Sequence, residues 1–348
     1  MFGLAPELRT KVESHDSKFY DIIKKALNVK KEDVLIVTDY GREEHKLAAM
    51  LGYGYYYAAK KKGLNVNLIF QEVKKGYRQA DNQVIQALRR LEHSNVVILA
   101  LSNKLGRVGE ENSFRSFCSE QGHRFISATG LGDVKVSHYD LFLEAMSVNY
   151  SRMNKVGMGI KKQWDFGKEI RVTTPGGTDV TFDVRGMEAI SNVGEYHEFG
   201  KGGNMPAGEV YIAPLGMHGV HGRVVVDGSI KTEDGAILVD EPVTFFIETG
   251  KVVRMEGKHA DLIERTFQRF EERSEHPQRV RLVGELGIGI NPGAVLIGSM
   301  IMDEKVLGTG HFAIGGNHWF GGAIKSIFHG DYVFKSPTFY VDGKKMEM

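Results

Sequence analysis

Residues 33–70 read DVLIVTDYGREEHKLAAMLGYGYYYAAKKKGLNVNLIF, and this stretch decides the fold. Asp33–Asp39 is a short β-branched run, and Leu64–Phe70 is a second one. Between them Glu43–Lys62 has the length and apolar content of a helix. A strand, a helix and a strand in that order form a βαβ unit, whose crossover makes the two strands parallel. The pattern extends outward on both sides. Ser17–Leu27 spaces its apolar residues as a helix does, and so does Asn82–Leu91, with Asn95–Leu101 as a buried strand. Glu110–Gln121 is again helical and Arg124–Ala128 again a strand. An α/β domain with a mostly parallel sheet is therefore expected over residues 1–162.

Past Trp164 the rhythm changes. EIRVTTPGGTDVTFDVRG reads as a hairpin around Pro175-Gly176-Gly177, and GEVYIAP, GRVVVDGSI and PVTFFIETGKVVRMEG follow as turn-punctuated strands. One strong helix, Ala260–Arg273, interrupts them. Residues 163–348 are expected to form a β-rich α+β domain.

Composition narrows the functional classes. With 42% hydrophobic and 26% charged residues, the chain is that of a globular protein. Lys and Arg total 45 against 44 for Asp and Glu, a net charge of +1, so nothing in the charge balance calls for nucleic acid or an anionic membrane. No apolar run approaches the ~18 residues that span a bilayer. No basic segment followed by an apolar one opens the chain, so a cytoplasmic location is expected. Cys118 is the single cysteine, which excludes an internal disulfide and a thiolate zinc site. Gly130-Leu131-Gly132 lacks the third glycine of a dinucleotide fingerprint, and neither a Walker loop nor a G-x-S-x-G elbow is present.

The chemistry concentrates in residues 284–334, GELGIGINPGAVLIGSMIMDEKVLGTGHFAIGGNHWFGGAIKSIFHGDYVF. His329 and Asp331 are two residues apart, so in a strand both side chains leave the same face. Glu285 stands in VGELGIGIN, where a β-rich core would place Val or Leu, and Glu209 stands in PAGEVYIAP with the same oddity. His311 lies between Gly310 and Phe312-Ala313-Ile314. Taken singly, each has an ordinary reading as a surface polar group or a hydrogen-bonded core histidine. Buried carboxylates are costly unless compensated, however, and two of them converging with two histidines make a divalent metal the simplest compensation.

PAGEVYIAP, GELGIGINPG, DEKVLGTGHFAIG and HGDYVF, in this order and with VTTPGGTDVTFDVRG, resemble the thermophilic metallo-aminopeptidase family of aminopeptidase T and aminopeptidase S (peptidase family M29). The resemblance implies a two-domain hydrolase, usually a homodimer, that removes N-terminal residues from short peptides. It implies two divalent ions (zinc, cobalt or manganese) on Glu209, Glu285, His311, His329 and Asp331, with Glu304 as general base. Such a pair of ions lowers the pKa of a bridging water toward about 7. His318 stands where that family has a catalytic tyrosine, and imidazole there can donate to a developing oxyanion. Trp319 and Phe320 beside it are candidates for a pocket wall or simply for packing.

Two other readings stay open. The fold is shared with 2,5-dihydroxypyridine dioxygenases, which hold one Fe(II) on a His/His/Asp set. In that pattern His329 and Asp331 are ligands and the position of Glu285 is a histidine. The glutamate there, together with Glu209, favours the two-metal hydrolase. The third reading is a degenerate, non-catalytic member with a structural metal. His218 and His221 are read as solvated turn residues.

Overall fold

The computed structural model describes residues 3–74, 78–109 and 113–347. The chain divides into two compact units, one of Met1–Ser151 with Gly194–Ala207 and one of Arg152–Val193 with Gly208–Met348. The short return segment is what a linear reading of the chain cannot supply. It joins the first unit because Gly202–Asn204 pairs with Arg124–Thr129 as the edge of its sheet.

The first unit is built on a parallel sheet with strand order Val66–Phe70, Val34–Thr38, Val96–Leu101, Arg124–Thr129, Gly202–Asn204. Val34–Thr38 and Val96–Leu101 are buried along their whole length, as expected for strands covered on both faces. The helix between the first two strands runs Leu47–Lys61. It starts later than the apolar content suggests because Arg42 and His45 close a tight turn through which Glu43 passes with φ of 20°. The helix Phe114–Glu120 carries the buried Cys118, whose thiol pKa burial raises. The remainder of the expected helix, residues 110–112, lies outside the described residues.

The second unit is antiparallel throughout its two seven-stranded sheets. The expected hairpin is present, with Glu169–Thr173 pairing Asp179–Asp183. It belongs to the sheet that also contains Val220–Val226 and Val243–Glu248. The other sheet has the order Gly235–Leu238, Ser229–Thr232, His329–Lys335, Thr309–Gly315, Val283–Gly289, Glu209–Ile212, Ile190–Asn192. A fold of parallel α/β followed by antiparallel β-rich structure agrees with the sequence expectation. Among the described residues, no helix is long and apolar enough to cross a membrane.

The two sheets meet through aromatic rings. Phe245 of the first lies edge-on to Phe312 of the second at 5.2 Å and 4.9 Å from Tyr332, and Phe312 and Tyr332 are themselves 5.5 Å apart. All three are fully buried. Such rings contribute both apolar burial and favourable edge-to-face geometry. Replacing Phe312 with Ala should cost about 3–5 kcal/mol, read as a lower urea midpoint for the second unit's unfolding transition. A loss under about 1 kcal/mol would show that this ring is not what joins the sheets.

Candidate metal centre

Four adjacent strands carry the candidate ligands. Glu209 pairs with Gly289, His311 with Gly287, Glu285 and Asp331 both with Ala313, and His329 with Gly315. Residues paired across antiparallel strands share a face, and side chains alternate along each strand. Glu209, Glu285, His311, His329 and Asp331 therefore all project from one face of the sheet. Phe312 and Tyr332, one residue out of phase, project from the other face toward Phe245. The alternation sorts metal chemistry to one side and core to the other.

The five side chains converge. His311 Nε2 is 3.4 Å from Glu285 Oε1 and 3.8 Å from Glu209 Oε2. His329 Nε2 is 3.5 Å from Asp331 Oδ1 and 3.9 Å from Glu285 Oε2. Glu285, His311 and Asp331 each offer one ligand atom, all within 4.8 Å of one another. Among the described residues this is the one such cluster. His329 Nδ1 is 2.8 Å from the Gly316 carbonyl. Donating there fixes the tautomer and leaves Nε2 as a free lone pair, the usual second-sphere arrangement of a metal-bound histidine.

Two glycines make the room. An added Cβ at Gly287 would lie 2.0 Å from His311 Nε2, so the imidazole lies across a position that only glycine leaves open. At Gly289 a Cβ would lie 2.2 Å from the Val306 carbonyl oxygen, so glycine there lets the turn after Asp303 approach the sheet. That turn is fastened by Asn291, whose backbone N–H donates to the Lys305 carbonyl at 2.8 Å and whose carbonyl accepts from Leu307 at 3.1 Å. The Asp303 carboxylate also holds it, accepting from the Ile297 and Gly298 amides at 2.8 and 3.1 Å.

The turn delivers Glu304 and Lys305. Lys305 is fully buried, with Nζ 2.5 Å from Glu209 Oε1 and in contact with the Glu304 carboxylate. Burial works against its charge, and the two carboxylates more than offset this and hold its pKa up. Burial raises Glu304 to about 8, helped by the charges of Glu209 and Asp331. Burial likewise raises Glu285. It would lower both imidazoles, but Glu285 raises His311, and Asp331 with Glu285 raises His329 to about 10. Asp331, despite its burial, is held well below the usual carboxylate range by His329. Without a cation the imidazoles take up protons against the surrounding carboxylates, which is the charge pattern of a metal-binding pocket.

The residues fit a divalent ion on a further ground. Both ring nitrogens of His311 are buried and have no hydrogen-bond partner. A buried imidazole in that state costs roughly 1–3 kcal/mol, and a metal bond to Nε2 relieves half of the deficit.

His318 is not among the converging groups. It is exposed, and its ring stands 5.3 Å from that of Trp319. Trp319 in turn lies edge-on to His329 at 5.0 Å, and Phe320 edge-on to Tyr211 at 5.3 Å. His218 and His221 both lie against the backbone of Thr249 and line a different cavity of about 630 Å³ with Asp183 and Arg185. Two structural residues have no role in the sequence expectations. One is Lys305, visible beforehand only as the last letter of the DEK segment. The other is the buried Asn317, which donates to the Gly284 carbonyl at 2.9 Å and accepts from the Ile324 amide at 2.7 Å. It ties the loop before His329 to the Glu285 strand.

The fold is a parallel α/β unit followed by two antiparallel sheets, one bearing a His/His/carboxylate cluster with the donor types of a metal site. Residues 28–347 match the family described as NicX, 2,5-dihydroxypyridine 5,6-dioxygenase, and the chain belongs to that family. No curated protein sequence matches it. Among solved structures it is similar to the 2,5-dihydroxypyridine dioxygenase of Pseudomonas putida KT2440, with a TM-score of 0.74 and 15% identity over 97% of this chain and 95% of that one. It is also similar to wild-type AmpT of Thermus thermophilus, with a TM-score of 0.65 and 14% identity over 97% of each chain. At such identities the likeness is one of fold.

The aminopeptidase expectation is thereby corrected. The family that matches nearly the whole chain is an oxidoreductase family, and the hydrolase resemblance survives as shared fold. The expectation assigns Glu209 and Glu285 to metal binding and Glu304 to proton transfer. Two of them, Glu209 and Glu304, are engaged by Lys305.

Two outcomes test the centre. Because Asp331 and Glu285 push His329 up to about 10, a metal must displace its proton at neutral pH. Apparent Mn(II) affinity should then rise with pH, by up to about tenfold per unit for each proton released. Calorimetry at about pH 6.5 and 8.5, in buffers of different ionisation enthalpy, checks this; equal affinity with no proton release would count against it. Gly287→Ala should drive the His311 ring from its place, costing about 1–3 kcal/mol and weakening metal binding, while Gly159→Ala, which meets no neighbouring atom, should leave binding unchanged.

Proposed function

We propose that the protein is a mononuclear non-haem iron dioxygenase that cleaves an electron-rich, dihydroxylated aromatic ring of the pyridinediol type. In this reading Fe(II) is held by His311, His329 and Asp331, with Glu285 as an additional donor. The observation that carries it is the convergence of two imidazoles and carboxylates on one cluster in a chain of this family. Two histidines and one carboxylate are the donor set of non-haem iron oxygenases. When bound, the iron would supply the one-electron chemistry that lets O2 react with a closed-shell ring.

The chain's own groups do the rest. Glu304, with its pKa near 8, is suited to accept a ring hydroxyl proton and return it near neutral pH. The indole of Trp319, 57% exposed beside His329, and the rings of Phe320 and Tyr211 offer flat apolar faces for a planar substrate. Glu285 stands in place of the histidine of the dioxygenase pattern, so the residues that would hold the iron include one more carboxylate.

The experiment is anaerobic loading of the purified protein with Fe(II), followed by dihydroxypyridines and dihydroxybenzenes under O2. One O2 consumed per ring chromophore lost is expected, with His329→Ala slowed by at least about 10²-fold, in the range of losing a metal ligand or its support. Oxygen-independent hydrolysis of aminoacyl-arylamides by the zinc, cobalt or manganese protein, with no ring cleavage, would overturn the reading.

A further inference from the structure

We infer that Lys305 is a built-in cation that takes the place of a second metal ion and so fixes the centre at one ion per chain; the inference rests on the one-iron reading above. The argument is one of charge and position. Glu209, Glu285 and Asp331 share a sheet face with His311 and His329, and Glu304 reaches the same cluster from the turn after Asp303. Four carboxylates so close together carry more negative charge than one dication offsets, and a further buried positive group reduces the excess, because buried unpaired charge is prohibitive. Lys305 supplies that group. It is fully buried, its Nζ lies 2.5 Å from Glu209 Oε1, and it also bridges to Glu304. Glu209 lies next to the ligand set as well, with Oε2 3.8 Å from His311 Nε2. A carboxylate that faces a ligand histidine with one oxygen and a buried ammonium with the other occupies the place of a bridging ligand between two cations. One of those cations is covalently part of the chain.

The lysine is also held where it is. Its carbonyl accepts from the Asn291 amide at 2.8 Å, its amide donates to the Met302 carbonyl at 3.0 Å, and the turn rests against the open face of Gly289. An ammonium so tethered cannot be exchanged or chelated away. It neutralises Glu209 and Glu304 without offering an open coordination position, so neither a second substrate oxygen nor a bridging water can be activated there.

Removing the charge should therefore create a vacancy for a metal. Wild type, Lys305→Ala and Lys305→Met are purified metal-free and equilibrated anaerobically with Mn(II) or Fe(II). Bound metal is counted by elemental analysis, and thermal melting is followed with and without metal. Wild type should bind about one ion per chain and Lys305→Ala about two, with metal raising the melting temperature of Lys305→Ala more than that of wild type. Lys305→Met, which fills the space without charge, should bind one ion and be less stable than wild type with or without metal. Should metal-free Lys305→Ala fail to fold, its production with excess Mn(II) should recover a folded protein carrying two ions. One ion in Lys305→Ala, or no folded Lys305→Ala even with metal, overturns the inference while leaving the one-iron reading intact. Two ions in wild type would overturn both.

Discussion

Carboxylates gathered on one buried sheet face repel one another, and the second unit is arranged around the cations that make their burial tolerable. Glu209, Glu285, Glu304 and Asp331 lie within reach of Lys305, His311 and His329. Moving any one charge leaves a partner stranded in a low-dielectric interior, which costs several kcal/mol. The shifted acidities follow from this mutual dependence. The imidazoles are pushed toward the protonated form and Asp331 toward the ionised form, while burial pushes Glu285 and Glu304 toward neutrality.

The sheet makes this concentration of charge possible by keeping it one-sided. Alternation along Thr309–Gly315 and His329–Lys335 sends Phe312 and Tyr332 to the aromatic contact with Phe245, while His311, His329 and Asp331 face the opposite way. A slip of one residue in either strand would bury the ligands among aromatic rings and expose the core. The register shifts only between Val283 and Glu285, and from Glu285 onward the regular pairing keeps that residue in phase with the other ligands. The same strand then provides Gly287, without which the His311 ring has nowhere to lie.

Fold and chemistry are separable here. One architecture is shared with both a dioxygenase and AmpT, and the ligand types in this chain suit either a single ion or a pair. In the reading proposed above, the number of ions depends on a neighbouring ammonium as well as on the ligands, since Lys305 engages Glu209 and Glu304. In the same reading the aromatic rings around His329 offer flat apolar faces to a planar substrate.

By itself the sequence determined the sequence of layers. Period-two and helical spacing depend only on local geometry, so the strands at Val34–Thr38 and Val66–Phe70, a helix between them and the hairpin around Gly176 could be read directly from it. The same spacing put His329 and Asp331 on one face, and the unusual placement of Glu209 and Glu285 among apolar residues marked both as compensated groups. Tertiary structure decided what compensates them. That Gly202–Asn204 returns to the first unit, that Gly287 faces His311, that His318 stays exposed, and that Lys305 lies between Glu209 and Glu304 are all matters of pairing between segments far apart in the chain. Local periodicity carries no information about such pairings. An electrostatic balance is set by distance in space, and only the folded chain fixes those distances.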